Sequence, residues 1–305
     1  MKKVLAAAAL TLSMSNVAHA IENNTWSTPT GFFFFSSGFT PPPTPFGTLA
    51  MRFQDLSSNA LYDGDGKKEP LNFRLNVTAT SLAYIHMTDY KILGANYGFL
   101  IVQPFFTFNG GLTVPLPPPI PGLHLHQATQ GFGNTSIDPF ILQWHLSESL
   151  HVNTGFEIQL PDGFYRKSAL FNPNTNYASF GPHAAVTYIS PYGQELSAFT
   201  RVDFNTTNPD THYHSGPEFK LELAAGQHLG NFTVGPIGYF YQQLQDDSAP
   251  GLKTGIRGRV FAAGLGVNYL QRNSPYALFV NVLKEFGAQN HTQGETVSLR
   301  ASLSF

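Results

Sequence analysis

The chain has 305 residues and no cysteine, which excludes disulfide bonds and thiol chemistry. Its formal net charge is −2, so it lacks the strong excess of basic residues that is typical of nucleic-acid binding. Charged residues are 12% of the chain, about half of the roughly 25% in an ordinary soluble domain, whereas hydrophobic residues reach a normal 42%. An aromatic share of 14%, together with frequent glycine and proline, favours strands and turns over helices.

The N-terminus has the three regions of a secretory signal sequence. Met1-Lys2-Lys3 supplies positive charge, an apolar run extends to about Met14, and Ala18-His19-Ala20 is a small-residue cleavage site. Residues 1–20 are therefore predicted to be a signal peptide, with the mature chain starting at Ile21. No later stretch has the roughly eighteen consecutive apolar residues of a membrane-spanning helix. Export would then end in the periplasm, the outer membrane or the medium.

The first part of the mature chain is irregular and rich in phenylalanine. Four phenylalanines are consecutive, Phe32, Phe33, Phe34 and Phe35. The run Pro41-Pro42-Pro43 that follows prevents a regular strand. Exposed phenylalanines would favour aggregation, so we expect these side chains to be buried inside the fold. We predict that residues 21–46 form a short N-terminal plug and that the four phenylalanines line a solute path. The alternative is a first strand that faces lipid.

From Thr48 onwards, segments that alternate apolar and polar residues follow one another to the end of the chain. About twelve strands are predicted, at 48–54, 71–85, 92–108, 132–146, 150–160, 177–189, 195–205, 216–227, 231–243, 255–270, 275–286 and 295–305. The last one has an apolar face (Val297, Leu299, Ala301, Leu303, Phe305) and a polar face (Ser298, Arg300, Ser302, Ser304). Such a strand is typical of the end of a transmembrane β-barrel.

The predicted connections alternate between short and long. Examples of short ones are 147–149 and 190–194, and examples of long ones are 109–131, 161–176 and 287–294. Short turns at one rim and long loops at the other characterise outer-membrane barrels. Residues 47–305 are thus predicted to form an all-β, up-and-down antiparallel barrel in the Gram-negative outer membrane, with a soluble β-sandwich as the alternative. The expected partners are outer-membrane lipid, lipopolysaccharide and, through the C-terminal strand, the barrel-assembly machinery.

Several motifs resemble one known family. They include Tyr177-Ala178-Ser179-Phe180-Gly181-Pro182, Thr211-His212-Tyr213-His214-Ser215-Gly216-Pro217-Glu218-Phe219, Val234-Gly235-Pro236-Ile237-Gly238-Tyr239-Phe240-Tyr241-Gln242-Gln243, Gly38-Phe39 and Asp138-Pro139. The chain resembles the outer-membrane family named for the meta-pathway of phenol degradation. The resemblance implies a transporter-like barrel and provides no catalytic motif, so we expect neither enzymatic activity nor a cofactor or metal site.

Strand parity predicts which side chains face the lumen. Since Phe219, Leu221 and Leu223 must face lipid, Glu218, Lys220 and Glu222 face inwards, and Arg201 is expected opposite Glu218. In addition to the four phenylalanines, the predicted lumen residues are Arg74, Glu157, Arg201, Asp203, Glu218, Glu222, Tyr239, Tyr241 and Arg300. Their charges either brace the wall or form a constriction that selects solutes.

A barrel of about twelve strands has a narrow interior, and a plug narrows it further. The hypothesis is therefore uptake of small hydrophobic or aromatic compounds through an aromatic-edged path. One alternative is a structural or adhesive barrel without transport, whose active surface would be the proline-rich loop 112–123. A less favoured alternative is an outer-membrane lipid hydrolase, because no segment resembles its serine and histidine motif.

Overall fold

The structure is a computed structural model that describes residues 27–252, 256–271 and 274–305, so the predicted signal peptide lies outside it. Among these residues no helix is long and apolar enough to cross a membrane. The strands are β1 Thr48–Tyr62, β2 Arg74–Ile92, β3 Ala95–Val114, β4 Leu123–Phe132, β5 Ser136–His145, β6 Leu150–Gln159, β7 Ser179–Ile189, β8 Gln194–Asn205, β9 Glu218–Leu229, β10 Phe232–Gln243, β11 Arg259–Leu270, β12 Tyr276–Gln289 and β13 His291–Ser304.

Twelve of these strands form a closed antiparallel barrel, which confirms the predicted fold class. Neighbours along the chain pair with each other, and β1 closes the barrel against β13 with Thr48 opposite Ser304. Closure gives every strand two hydrogen-bonded neighbours, which a bilayer requires because lipid offers no partner to a backbone amide.

The extra strand, β4, corrects the prediction of a long loop at 109–131. β4 pairs with the C-terminal half of β3, from Phe105 to Val114. β5 pairs with the N-terminal half of β3, from Asn96 to Val102, along the same edge. β4 and β5 therefore lie in line along β3, with residues 133–135 between them. In β4 the exposed His124 and His126 alternate with the half-buried Leu123 and Leu125. This period of two is a strand signal, but it lies close to a proline-rich stretch that hid it.

The two rims differ in their connections. The β2–β3 and β9–β10 turns are tight and contain Gly94 and Gly230, both with positive φ. They lie at the rim that also holds Thr48 and Ser304, which is the periplasmic rim in barrels of this class. At the opposite, extracellular rim the predicted long loop 287–294 is wrong, since β12 and β13 are joined by a tight turn at Asn290 with φ of 44°.

Apolar side chains cover the outside of the barrel over part of its height. On β1 the outward residues Leu49, Met51 and Phe53 are exposed, and Asp55 continues the same face towards the extracellular rim. Because a carboxylate is unfavourable in the hydrocarbon core, the wall rises above the membrane at the level of Asp55. The outward face of the strands is therefore apolar in lipid and polar above it.

Residues 27–46, here called the plug segment, lie inside the barrel without regular structure. The segment starts beside Glu218, at the extracellular end of β9, where the Ser27 hydroxyl donates a hydrogen bond to the carboxylate. It ends at the periplasmic rim, where the Phe46 N–H donates to the Phe305 carbonyl at 3.0 Å. The chain thus descends through most of the barrel before β1 begins.

Candidate functional site

The plug segment is held by carboxylates on the inner face of β8 and β9. Glu222 accepts hydrogen bonds from three consecutive backbone amides, those of Gly31 at 2.8 Å, Phe32 at 2.7 Å and Phe33 at 2.7 Å. Glu195, closer to the periplasmic rim, accepts one from the Ser36 amide at 2.6 Å. Hydrogen bonds to an ionised acceptor are about twice as strong as neutral ones. The bend at residues 31–33 is therefore fixed through its backbone.

A buried charge cluster lies on the extracellular side of Glu222. Arg201 binds Glu157 at 2.7 Å and Asp203 at 2.5 Å, and Lys220 binds Asp203 at 2.6 Å and Glu218 at 3.0 Å. Each cation is shared by two carboxylates, which offsets the cost of burying them.

The cluster corrects one expected pairing. Arg201 lies opposite Lys220 and not opposite Glu218, which lies opposite Asp203. The β8–β9 register is therefore shifted by two residues from the predicted one. The plug segment joins the cluster through Thr28, whose carbonyl accepts a hydrogen bond from Lys220 at 2.8 Å.

The lower part of the plug segment contacts β5 to β7 closely. The Gly38 amide donates to the Thr187 hydroxyl at 2.8 Å, and its carbonyl accepts from Gln143 at 3.0 Å. A side chain at Gly38 would collide with the backbone of Thr187 and His151. Phe39 stacks on His151 with ring centroids 3.9 Å apart. Only glycine lets the backbone approach the wall this closely.

On the other side of the plug segment, towards β1–β3, an upper chamber of about 210 Å³ remains open. Its apolar lining includes Leu56, Leu75, Val77, Ala79, Leu100, Val102, Pro104, Phe106, Phe108 and Phe171 from the wall and loops, together with Phe32 and Phe33 from the plug segment. Most of its polar lining is Arg52, Gln54, Ser81, Asn134, Ser136, Glu157, Gln159 and Arg201. Barrel interiors are usually polar, so an apolar inner face on two neighbouring strands, β2 and β3, is unusual.

A lower cavity of about 450 Å³ lies on the periplasmic side of the plug bend. Its lining reaches Tyr276 and Ser304 at the periplasmic rim. Phe33, Leu100 and Glu157 line both spaces, and we call these three residues the constriction. Phe33 stacks on Phe199 of β8 with ring centroids 4.4 Å apart, so an aromatic pair lies at the boundary between the two cavities.

Twelve of the thirteen predicted lumen residues fall into three groups. Glu157, Arg201, Asp203, Glu218, Glu222 and Arg300 lie on the inner face, in or beside the charge cluster and the two cavities. Phe34, Phe35, Tyr239 and Tyr241 are buried against one another in a core between the plug segment and β10. Phe32 and Phe33 line the upper chamber. Contact of these residues with a solute stays a prediction.

The prediction for Arg74 is wrong, because its side chain lies on the exposed outer face of β2. Parity separated the two faces of this strand correctly, but the apolar face, with Leu75 and Ala79, is the inner one. Its outward neighbour Asn76 accepts a hydrogen bond from Ser57 at 2.9 Å, above the lipid. There the rule that an apolar face meets lipid no longer applies.

Arg52 is a lumen residue that the sequence analysis missed. It lies on β1 between the outward-facing Met51 and Phe53, so the alternation of that strand already indicated an inward side chain. Its guanidinium lies 3.4 Å from the centroid of the Phe32 ring. The apolar lining residue Phe106 was also missed, because no face was assigned to its strand.

Comparison with known proteins identifies the family. The family model described as "Putative MetA-pathway of phenol degradation" matches residues 58–301. The chain belongs to this family. The resemblance seen in the sequence motifs is thereby confirmed.

Two solved structures have a fold similar to that of this chain. An outer membrane channel from Pseudomonas putida F1 is 13% identical with a TM-score of 0.67, covering 87% of this chain and 100% of that one. The β domain of the Bordetella autotransporter BrkA is 10% identical with a TM-score of 0.50, covering 85% of this chain and 99% of that one. No curated protein sequence matches the chain. The chain thus has the fold of a solved outer membrane channel.

Proposed function

We propose that the protein is an outer-membrane channel for uptake of small hydrophobic or aromatic compounds. The observation that carries the proposal is the upper chamber, whose inner wall on β2 and β3 is apolar. An apolar wall inside a barrel stabilises a nonpolar ring by removing its surface from water.

The size of the chamber supports this class of solute. A cavity of about 150 Å³ lined by leucine, isoleucine and phenylalanine stays dry and binds benzene. The upper chamber, at about 210 Å³, has room for one substituted ring. Phe106 and Phe108 supply aromatic faces on its wall. The chamber therefore suits one small aromatic molecule.

The path continues through the constriction. A solute that leaves the upper chamber meets Phe33, and the lower cavity beyond it extends to the periplasmic rim. In this proposal the path runs between the plug segment and β3, past Phe33 and Leu100. Membership in a family described by phenol degradation and the fold shared with an outer membrane channel agree with this role. The exposed apolar belt would contact outer-membrane lipid and the C-terminal strand the assembly machinery.

The test is a substitution in the chamber wall whose larger side chain fills the upper chamber. Ala79 is 2% exposed and points into the upper chamber, while its neighbour Thr80 is exposed on the outer face. Ala79→Phe should reduce uptake of radiolabelled benzyl alcohol to the level of cells without the protein, because the added ring occupies the solute's place. Thr80→Phe adds the same ring outside and should leave uptake unchanged. Host cells lacking their general porins provide a low background.

Heat-modifiable migration on a gel shows that each variant forms the barrel. If folded Ala79→Phe takes up benzyl alcohol as fast as the unmodified protein, the chamber is not the path. Equal uptake with and without the unmodified protein would refute the channel itself.

A further inference from the structure

Two arginines face each other across the seam that closes the barrel. Arg52 on β1 is directly opposite Arg300 on β13, and both side chains point into the lumen. Like charges in opposite positions of neighbouring strands destabilise a sheet. Such an arrangement needs a compensating partner or a function.

The partners of the two arginines are neutral. Arg52 donates to the Ser81 hydroxyl at 3.2 Å and lies over the Phe32 ring. Arg300 donates to the Phe32 carbonyl at 3.4 Å and lies 3.8 Å from the centroid of the Phe279 ring.

Within residues 27–252, 256–271 and 274–305, no carboxylate oxygen lies within 4.0 Å of either guanidinium. Arg201 provides the contrast, since it is paired with two carboxylates. Glu222 acts on both arginines electrostatically, but its oxygens accept the three backbone amides of the plug bend.

The two arginines lie on either side of the plug bend along the solute path. Arg52 lines the upper chamber and Arg300 lines the lower cavity. Both contact Phe32, one through its ring and the other through its carbonyl. Both residues are partly buried in the wall, and each lines one of the two cavities. A ligand that moves from one space to the other passes two successive cations.

We infer that the preferred solute is an aromatic acid, with a carboxylate on a single apolar ring. This inference rests on the proposed function and specifies its substrate class. The ring occupies the apolar part of the upper chamber while the carboxylate meets Arg52, whose planar guanidinium matches a carboxylate in geometry and charge. Beyond the constriction the carboxylate meets Arg300. The anion also relieves the repulsion between the two arginines.

The experiment compares two solutes that share a ring and differ in charge. Uptake of radiolabelled benzoate and benzyl alcohol is measured at neutral pH in the porin-deficient cells, with and without the protein. The unmodified protein should accelerate the uptake of benzoate more than the uptake of benzyl alcohol. Arg52→Met and Arg300→Met should each lower the ratio of benzoate uptake to benzyl alcohol uptake about fivefold, the value of one short charge interaction in water. Arg52→Lys keeps the charge and should retain most of the benzoate uptake.

The matched control is Arg74→Met, which removes the same charge from the outer face of β2 and should alter neither rate. The inference is overturned while the channel stands if benzyl alcohol enters as fast as benzoate, or if the lumen variants slow both solutes equally, as a purely structural role in holding Phe32 would do. If neither solute enters through the unmodified protein, the proposed function fails and this inference with it. Where a variant lacks heat-modifiable migration, the ratio of the two rates in the unmodified protein decides.

Discussion

Glu222→Gln tests how the plug segment is held in the lumen. The carboxylate accepts hydrogen bonds from the amides of Gly31, Phe32 and Phe33, two of them on one oxygen. Glutamine has one carbonyl oxygen and one NH₂ group. If its oxygen keeps the two amides of Phe32 and Phe33, its NH₂ group faces the amide of Gly31, and two donors oppose each other.

The cost follows from these contacts. One buried donor left without an acceptor costs about 1–3 kcal/mol, and the two retained hydrogen bonds lose the contribution of the negative charge. Together these losses cost about 2–4 kcal/mol, which raises the population of the released plug segment at least about 30-fold. The barrel wall keeps all of its backbone pairing, because Glu222 touches the plug through its side chain only.

A single cysteine reports release, since the chain has none of its own. Thr30 is 2% exposed, and its hydroxyl has no hydrogen-bond partner among the described residues, so Thr30→Cys costs little. The rate at which a maleimide labels this cysteine in detergent follows the population of released segment. Glu222→Gln should raise the rate at least about 30-fold. Glu295→Gln, on the exposed face of β13, is the control. Equal rates in Glu222→Gln and the parent, with the barrel folded, would refute the carboxylate anchor.

Two further outcomes are expected. Gly38→Ala should raise labelling of the same cysteine about tenfold, because its methyl group collides with the backbone of β6 and β7; an unchanged rate would mean that the lower plug segment is not seated there. Arg201→Met leaves Glu157 and Asp203 without their guanidinium, at a cost of about 3–5 kcal/mol, and should lower the temperature at which the barrel loses its fast migration on gels. Lys284→Met breaks only an exposed pair and should hardly change that temperature, while equal shifts for the two variants would contradict the burial argument.

The number, order and pairing direction of the twelve barrel strands could be predicted because they depend on local patterns, whereas the additional strand β4 was missed. Alternation with a period of two is a property of the extended backbone, and turn residues mark where it stops. The same pattern oriented β8 and β9 correctly, since Phe219 and Leu221 lie within the lipid belt and leave Glu222 for the lumen. In these two strands the apolar face had only one favourable environment, which is contact with lipid.

On β2 the same pattern led to the wrong assignment of the inner and outer faces. Its apolar and polar faces are as distinct as those of β9, but Arg74 is outside and Leu75 inside because that end of the strand stands above the membrane. Alternation separates two faces without saying which one is inner. Only the height of each residue relative to the lipid belt decides this, and that height depends on how the strands are staggered around the closed barrel.

The sequence by itself therefore determined an exported β-barrel with a phenylalanine-rich segment ahead of it and a set of charged inner-face residues. The tertiary structure decided which of these charges pair, since Arg201 meets Glu157 on one side and faces Lys220 on the other. It also brought Arg52 and Arg300, far apart in the chain, to the same plug residue. The physical reason is that alternation arises within one strand, whereas register, closure and the path of the plug segment depend on contacts between distant parts of the chain.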